Sequence, residues 1–170
     1  MKTLYLLCGM PFSGKTTLGK LITKYLDSFY ISLDDINATR GLNGGDGIPI
    51  EEWERTHFLA MQQLEELMNS GKDVVLDDTN CFRWLRDRFR NLGLQHNYQT
   101  IVVFLDIPLV EILQRMANNE IDRRRRGVKP EIIQEMFGTF ESPQSDEIVI
   151  RYATEQPVAE WIAEKFKDVN

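Results

Sequence analysis

Cysteine is scarce in this chain. Only Cys8 and Cys81 occur in 170 residues, too few for a disulfide framework, and no C-x-x-C pair or Cys/His cluster stands at metal-ligand spacing. That excludes a disulfide scaffold, a zinc ribbon and a dithiol redox centre, and it points to a reducing compartment. Histidine is equally sparse: His57 and His96 have no partner residues at triad spacing, and both read as structural. Long apolar runs are missing. None approaches the roughly 18 residues of a membrane span, and the opening apolar stretch, Leu4 to Cys8, falls short of the roughly 7–15 residues of a secretion signal. A cytoplasmic protein without a membrane partner is expected. Positive charge is in deficit, with 20 Lys and Arg against 26 Asp and Glu and a net charge of −6. A domain built to coat a phosphate backbone carries the opposite surplus, so nucleic acid is a less favoured partner, confined to any local basic groove. The guanine-recognition motif NKxD and the DxxG switch are both absent, which argues against a small GTPase.

What is present is the composition of one ordinary globular domain over residues 1–170, with 42% hydrophobic and 27% charged residues. Short apolar runs at Thr3–Cys8, Phe29–Ser32, Val74–Asp77, Thr100–Asp106 and Glu147–Ile150 alternate with stretches of helical period. Leu18, Leu21, Ile22, Tyr25 and Leu26 step by three and four, as one face of a helix does. Similar stripes run from Trp53 to Leu67, ended by Gly71, and from Phe82 to Leu92, ended by Gly93. Others begin after Pro108 and Pro130, residues suited to a first helical turn, and a last one closes the chain at Val158–Phe166. The alternation predicts a three-layer α/β fold with a five-stranded parallel sheet flanked by helices. Two stretches break the pattern. Gly41–Pro49 is rich in glycine, and Asn118–Lys129 is polar and dense in arginine. Both read as loops or lids, the second spanning about residues 118–130.

Gly9-Met10-Pro11-Phe12-Ser13-Gly14-Lys15-Thr16 fits GxxxxGK[ST], the phosphate-binding P-loop. Glycines let the backbone turn so that successive N–H groups point at phosphate oxygens, and the following helix adds the positive end of its dipole. Lys15 is expected to reach the β and γ phosphates, and the Thr16 hydroxyl to ligate Mg²⁺. An apolar strand before the motif and an amphipathic helix after it supply the setting that the motif requires.

Carboxylates follow two other strands. Val74-Val75-Leu76-Asp77-Asp78 ends in two acids, one of which can face the P-loop because side chains alternate along a strand. Asp34-Asp35 follows the second apolar run. In a parallel sheet the C-terminal strand ends line the ligand crevice, where an Asp can accept the proton of a hydroxyl attacking a γ-phosphate. The bland alternative, an acidic first helical turn with one Asp as cap, is compatible with that role. Arg123-Arg124-Arg125-Arg126 offers fixed-fork donors for transferring phosphoryl oxygens.

Taken in order, GMPFSGKTT at Gly9–Thr17, SLDD at Ser32–Asp35, VVLDDTN at Val74–Asn80, FLDIP at Phe104–Pro108 followed by LQR, then RRRRGVKP and MFGTFESP with Glu147 behind, resemble the small P-loop kinases. The group is that of the phage polynucleotide kinase domain, zeta toxin and chloramphenicol phosphotransferase. The resemblance runs from about residue 3 to residue 147. It implies that Gly9 to Thr17 bind the phosphates of ATP, that Asp34 is the general base, and that Asp78, rather than Asp77, is the strand-end acid of the metal site. It also implies that Asn80 lines the substrate side, and that Arg115 and the lid arginines, Arg123 on the nucleotide and Arg124 at the transferring phosphoryl, complete the site. One departure matters. Polynucleotide kinases of this group carry an arginine two residues beyond the Asp pair, and this chain has Asn37 there. Asp35 and the next arginine, Arg40, are therefore placed with Asn80 on the acceptor side. The implied activity is ATP- and Mg²⁺-dependent phosphoryl transfer to a small-molecule hydroxyl. The alternatives are a polynucleotide 5′-hydroxyl kinase and a non-catalytic ATP-binding regulatory module. The acceptor and the oligomeric state are not legible.

Overall fold

In the computed structural model, residues 1–42, 47–122, 127–153 and 156–167 are described, Asp122 by its backbone alone. The strands are β1 (Lys2–Cys8), β2 (Phe29–Ser32), β3 (Val74–Asp77), β4 (Tyr98–Leu105) and β5 (Val149–Tyr152). They form one sheet in the order β2-β3-β1-β4-β5, and every pairing is parallel. The helices are α1 (Lys15–Leu26), α2 (Leu33–Thr39), α3 (Ile50–Asn69), α4 (Arg83–Gln95), α5 (Leu109–Asp122), α6 (Pro130–Thr139) and α7 (Val158–Lys165). Among the described residues no helix is long and apolar enough to cross a membrane.

Strand alternation sorts the core into two layers. Leu4, Leu6, Val74 and Leu76 pack with Ile36 of α2, Ala60 and Leu64 of α3, and Phe89 and Leu92 of α4. Tyr5, Leu7, Val75 and Val103 face the other way, onto Leu18 and Ile22 of α1, Ile112 and Met116 of α5, Ile133 of α6 and Trp161 of α7. Each fully buried Leu or Ile contributes roughly 1.5–3 kcal/mol, so this two-sided burial fixes the register of the sheet. The register in turn levels the strand ends. Leu7 and Ser32 both lie opposite Asp77. The P-loop, the start of α2 and the Asp77-Asp78 pair therefore emerge along one edge.

Several boundaries differ from expectation, β4 among them at Tyr98–Leu105, and three have a visible cause. β5 begins at Val149 rather than Glu147, because the Glu147 side chain is buried against Arg86 and its N–H closes a turn on the Gln144 carbonyl at 3.0 Å. Gly93 does not end its helix. α4 continues to Gln95, and a Cβ at Gly93 would stand 2.9 Å from Thr100 Oγ1, so that glycine serves close packing of helix on strand. α5 extends through Asn118 to Asp122, with Gln114 Nε2 donating to Asn118 Oδ1 at 3.1 Å one turn on. The first part of the expected lid is thus helical, and Arg123–Arg126 lie outside the described residues.

Candidate active site

The P-loop joins β1 to α1 and is held from three sides. Met10 and Phe12 are 5% and 7% exposed and belong to the core beneath the loop, and Pro11 is buried beside them. These three can offer phosphate only their backbone. Phe12 has φ 64 and Gly14 has φ 100, and the second value is one that an L side chain resists. The Gly9 N–H donates to the Thr79 carbonyl at 3.0 Å, tying the loop to the segment after β3. The Lys15 ammonium is buried and donates to the Gly9 and Met10 carbonyls, 2.9 Å each. The buried Ser13 Oγ has no hydrogen-bond partner among the described residues. Thr16 and Thr17 are exposed in the first turn of α1, where N–H groups have no intrahelical acceptor. Arg115 of α5 arrives from the other side, donating to the Phe12 and Ser13 carbonyls at 3.1 and 2.7 Å and pairing with Glu111 at 2.5 Å. The residue expected on the nucleotide thus braces the loop that would hold it.

The Thr16 hydroxyl donates to Asp77 Oδ2 at 2.7 Å, not to Asp78. Asp77 also accepts from the Tyr30 hydroxyl at 2.6 Å. Burial, then the charge of Asp77, pushes the Tyr30 phenol above its ordinary pKa, so it remains a donor. Register explains the placement, because Asp77 stands opposite Leu7 of β1, beside the P-loop. Asp77 is the last residue of β3 and 6% exposed, whereas Asp78 lies beyond the strand and its buried Oδ2 has no hydrogen-bond partner among the described residues. A threonine hydroxyl and a carboxylate in contact beside a phosphate loop are the hard oxygen donors that Mg²⁺ accepts, together with water and phosphate. The residues present therefore fit that ion.

Across the crevice, Ser32 rather than an aspartate caps α2, accepting from the Asp35 N–H at 3.3 Å. Asp34 and Asp35 occupy the exposed first turn, in register with the end of β3. Asn37 is fully buried and its Oδ1 accepts from the Thr56 hydroxyl of α3. Arg40, expected to grip the acceptor, is engaged by α3 instead. Its guanidinium pairs with Glu52 and donates to the Glu52 carbonyl at 2.8 Å, fastening α2 to α3. Asn80, expected on the substrate side, has no exposed surface. Its φ is 45, and its amide donates to the Leu7 carbonyl at 2.8 Å, so it is a strut between the β3–α4 turn and β1. Arg86 completes that strut. It is fully buried, bonds Glu147 through Nε at 2.8 Å and Nη2 at 3.1 Å, and donates to the Asn80 and Glu141 carbonyls at 2.9 Å each. Nothing in the local sequence marks Tyr30 or Arg86, which read as a strand aromatic and one of several helix arginines. Arg123 and Arg124 lie outside the described residues.

A parallel sheet in this strand order, with a P-loop after its central strand and carboxylates at the ends of β3 and β2, is the P-loop kinase fold. Residues 4–143 match the family described as AAA domain, and the chain belongs to that family. It is 23% identical over 148 residues to the L-seryl-tRNA(Sec) kinase of Methanococcus maripaludis, an alignment covering 82% of this chain and 53% of that protein. It is 27% identical over 127 residues to the shikimate kinase of Clostridium botulinum, covering 69% and 67%. The unliganded sugar kinase of Janibacter superimposes with a TM-score of 0.71 at 18% identity, over 99% of this chain and 94% of that one. The chain spans 21–53% of the length of the first curated relatives it matches.

Proposed function

We propose that this chain transfers the γ-phosphoryl group of ATP to a hydroxyl of a small-molecule acceptor, with Mg²⁺ required. The supporting observation is the levelled edge of the sheet, along which the P-loop with Lys15, the Thr16–Asp77 pair and the first turn of α2 with Asp34 emerge. In this reading Lys15 leaves the loop carbonyls for the β and γ oxygens, and the N–H groups at the head of α1, Gly14 to Thr17, cradle the phosphates. The acceptor oxygen forms its bond to phosphorus as the bridging P–O bond to ADP breaks, and the acceptor proton passes to the Asp34 carboxylate. Thr16 and Asp77 would hold Mg²⁺, which would supply positive charge to the phosphates. Arg123 and Arg124 would supply donors from the lid. Most of the rate then comes from positioning and charge, because phosphoryl transfer asks little covalent chemistry of the protein.

A nucleic-acid acceptor is the second reading, favoured by the seryl-tRNA kinase among the relatives. The net charge of −6 and the engagement of Arg40 by Glu52 weigh against it. The test is ADP release with MgATP in wild type, Lys15→Ala and Asp34→Asn, across sugars, sugar acids, nucleosides and a 5′-hydroxyl oligonucleotide. Stimulation by a small acceptor that both substitutions abolish supports the first reading. Stimulation by the oligonucleotide alone supports the second. ATP binding with no stimulation, unchanged by Asp34→Asn, would leave a non-catalytic binding module.

A further inference from the structure

β2 is the first strand of the sheet, and it is paired along one edge only. The Phe29 N–H donates to the Asp73 carbonyl at 2.9 Å. Phe29 and Ile31 therefore turn their main-chain groups toward β3, and Tyr30 and Ser32 turn theirs toward the open edge. Such an edge presents unpaired N–H and C=O groups to whatever lies beside it. A cavity of about 240 Å³ lies there, bounded by the strand, α2 and α3. It is smaller than the sites that take drug-sized ligands, so its occupant is small.

Part of the lining is apolar, from Ile31, Ile36 and Leu59, and part is polar, from Tyr30, Ser32 and Asp35. Ser32 is 7% exposed. Its Oγ accepts the Asp35 N–H at 3.3 Å, and its hydroxyl proton has no acceptor among the described residues. No hydrogen bond or ion pair reaches the Asp35 carboxylate among the described residues. Arg40 also lines the cavity, but its guanidinium is paired with Glu52 and donates to the Glu52 carbonyl at 2.8 Å. The charge of Asp35 is thus left uncompensated.

This combination selects by chemistry. A carboxylate beside an outward-facing carbonyl accepts N–H groups and favours positive charge, and a serine proton asks for an oxygen. An anion would meet Asp35 with no cation to hold it. A divalent metal takes about six oxygen ligands and would have no use for Ile31, Ile36 and Leu59. An added peptide strand would find little to pair with, because β2 has four residues and Ser32, one of the two turned outward, already caps α2.

We infer that this cavity binds a small organic ammonium ion that also carries a hydroxyl, an amino alcohol. Its ammonium sits on Asp35 and the Tyr30 carbonyl, its hydroxyl on Ser32, and its carbon stem on the apolar lining. Asp35 then serves a site of its own rather than the acceptor side of the crevice. Tyr30 links the two sites, since its main chain borders the cavity and its phenol donates to Asp77 Oδ2 at 2.6 Å. The inference does not depend on the phosphotransferase reading.

The experiment is a titration of the isotope-labelled full chain, without nucleotide, followed by amide correlation spectra. Aminobutanol, butylamine, butanol and butyrate share one stem and differ in their end groups, and magnesium chloride supplies an inorganic cation. Aminobutanol is expected to shift the amides of Tyr30, Ser32 and Thr39 and the side-chain amide of Gln63, all lining residues, and to saturate. Butylamine should bind about tenfold more weakly, the loss of one hydrogen bond, and butanol and butyrate should leave these amides unmoved. Asp35→Asn, shown to be folded by its circular dichroism melt, should weaken aminobutanol about tenfold or more. The inference is overturned if aminobutanol moves none of these amides, or if butanol, butyrate or magnesium moves them as strongly. Butylamine binding as tightly as aminobutanol, or Asp35→Asn binding as wild type does, overturns it too. Should Asp35→Asn not fold, the ligand series on wild type decides alone. No turnover enters the readout, so its failure and that of the phosphotransferase reading are separate results.

Discussion

Replacing Arg86 by methionine tests the strut under the β3–α4 turn. Among the described residues, the side chain is the largest with no exposed surface. It neutralises Glu147, whose side chain is equally buried, and caps the carbonyls of Asn80 and Glu141. Methionine fills much of the volume but leaves the Glu147 carboxylate with the Gln144 N–H, 2.8 Å away, as its remaining donor besides Arg83, 3.6 Å off. Removing one member of a buried pair destabilises by about 3–5 kcal/mol. In a chain of this size each kcal/mol lowers Tm by about 2–4 °C, so a fall of roughly 6–20 °C is expected. Urea titration followed by circular dichroism reads the same quantity as a shift in midpoint with the slope unchanged. The double variant Arg86→Met/Glu147→Leu leaves no charge unpaired and is expected to recover a large part of the loss. A single variant within about 1 kcal/mol of wild type refutes the argument, because no buried pair of this kind is that weakly held. So does a double variant less stable than the single. The pair also has a pH signature. Burial raises the Glu147 pKa, but the Arg86 guanidinium and the Gln144 N–H outweigh it and hold the carboxyl below its ordinary value. The stability it contributes is therefore full above the unfolded value of about 4.3 and is lost as pH falls through the lower folded one. Glu147→Gln should flatten that acid limb.

Gly14→Ala places a side chain at φ 100, a strain of about 1–3 kcal/mol, and should weaken binding of a fluorescent ATP analogue about tenfold or more; unchanged affinity would sink the account of the loop. Tyr30→Phe removes one of the two hydrogen bonds that Asp77 Oδ2 accepts from Thr16 and Tyr30, a charged bond worth about 1.5–3 kcal/mol, and should raise the Mg²⁺ concentration giving half-maximal ADP release. A Mg²⁺ titration identical to wild type would show that Asp77 is fixed without the phenol. Burial pushes the Cys8 thiol up to about 12 and raises Cys81 as well, so Ellman's reagent at pH 8 should label neither in the native protein and both in urea. Labelling of either within minutes under native conditions contradicts the burial assigned to it.

Much of the fold was legible because its signals are local. Leu4 to Cys8 and Val74 to Leu76 read as strands buried on both faces, and the P-loop carries its own strand and helix with it. What escaped depends on distant partners. The choice between Asp77 and Asp78 turns on the parallel register that sets Asp77 opposite Leu7, and strand alternation alone says only that one of them faces the loop. Arg40 looks available until α3, twelve positions on, brings Glu52 to it. Gly93 looks like a helix stop because the tight approach of Thr100 belongs to the next strand. His57, by contrast, reads as a core histidine and is one, 8% exposed beside the Phe89 ring.

The anchoring of Met10 and Phe12 in the core changes how the phosphate loop behaves over time. Ligand-binding loops usually sit at the low end of a protein's local stability and open on their own. Here the loop's own side chains are part of the layer beneath α1 and α5, so its amides open with the domain and not before it. Hydrogen exchange at Gly9 and Ser13, whose amides donate to the Thr79 and Met10 carbonyls, should then be slow without nucleotide and should report global unfolding, while adaptation to different ligands falls to the segments around the loop.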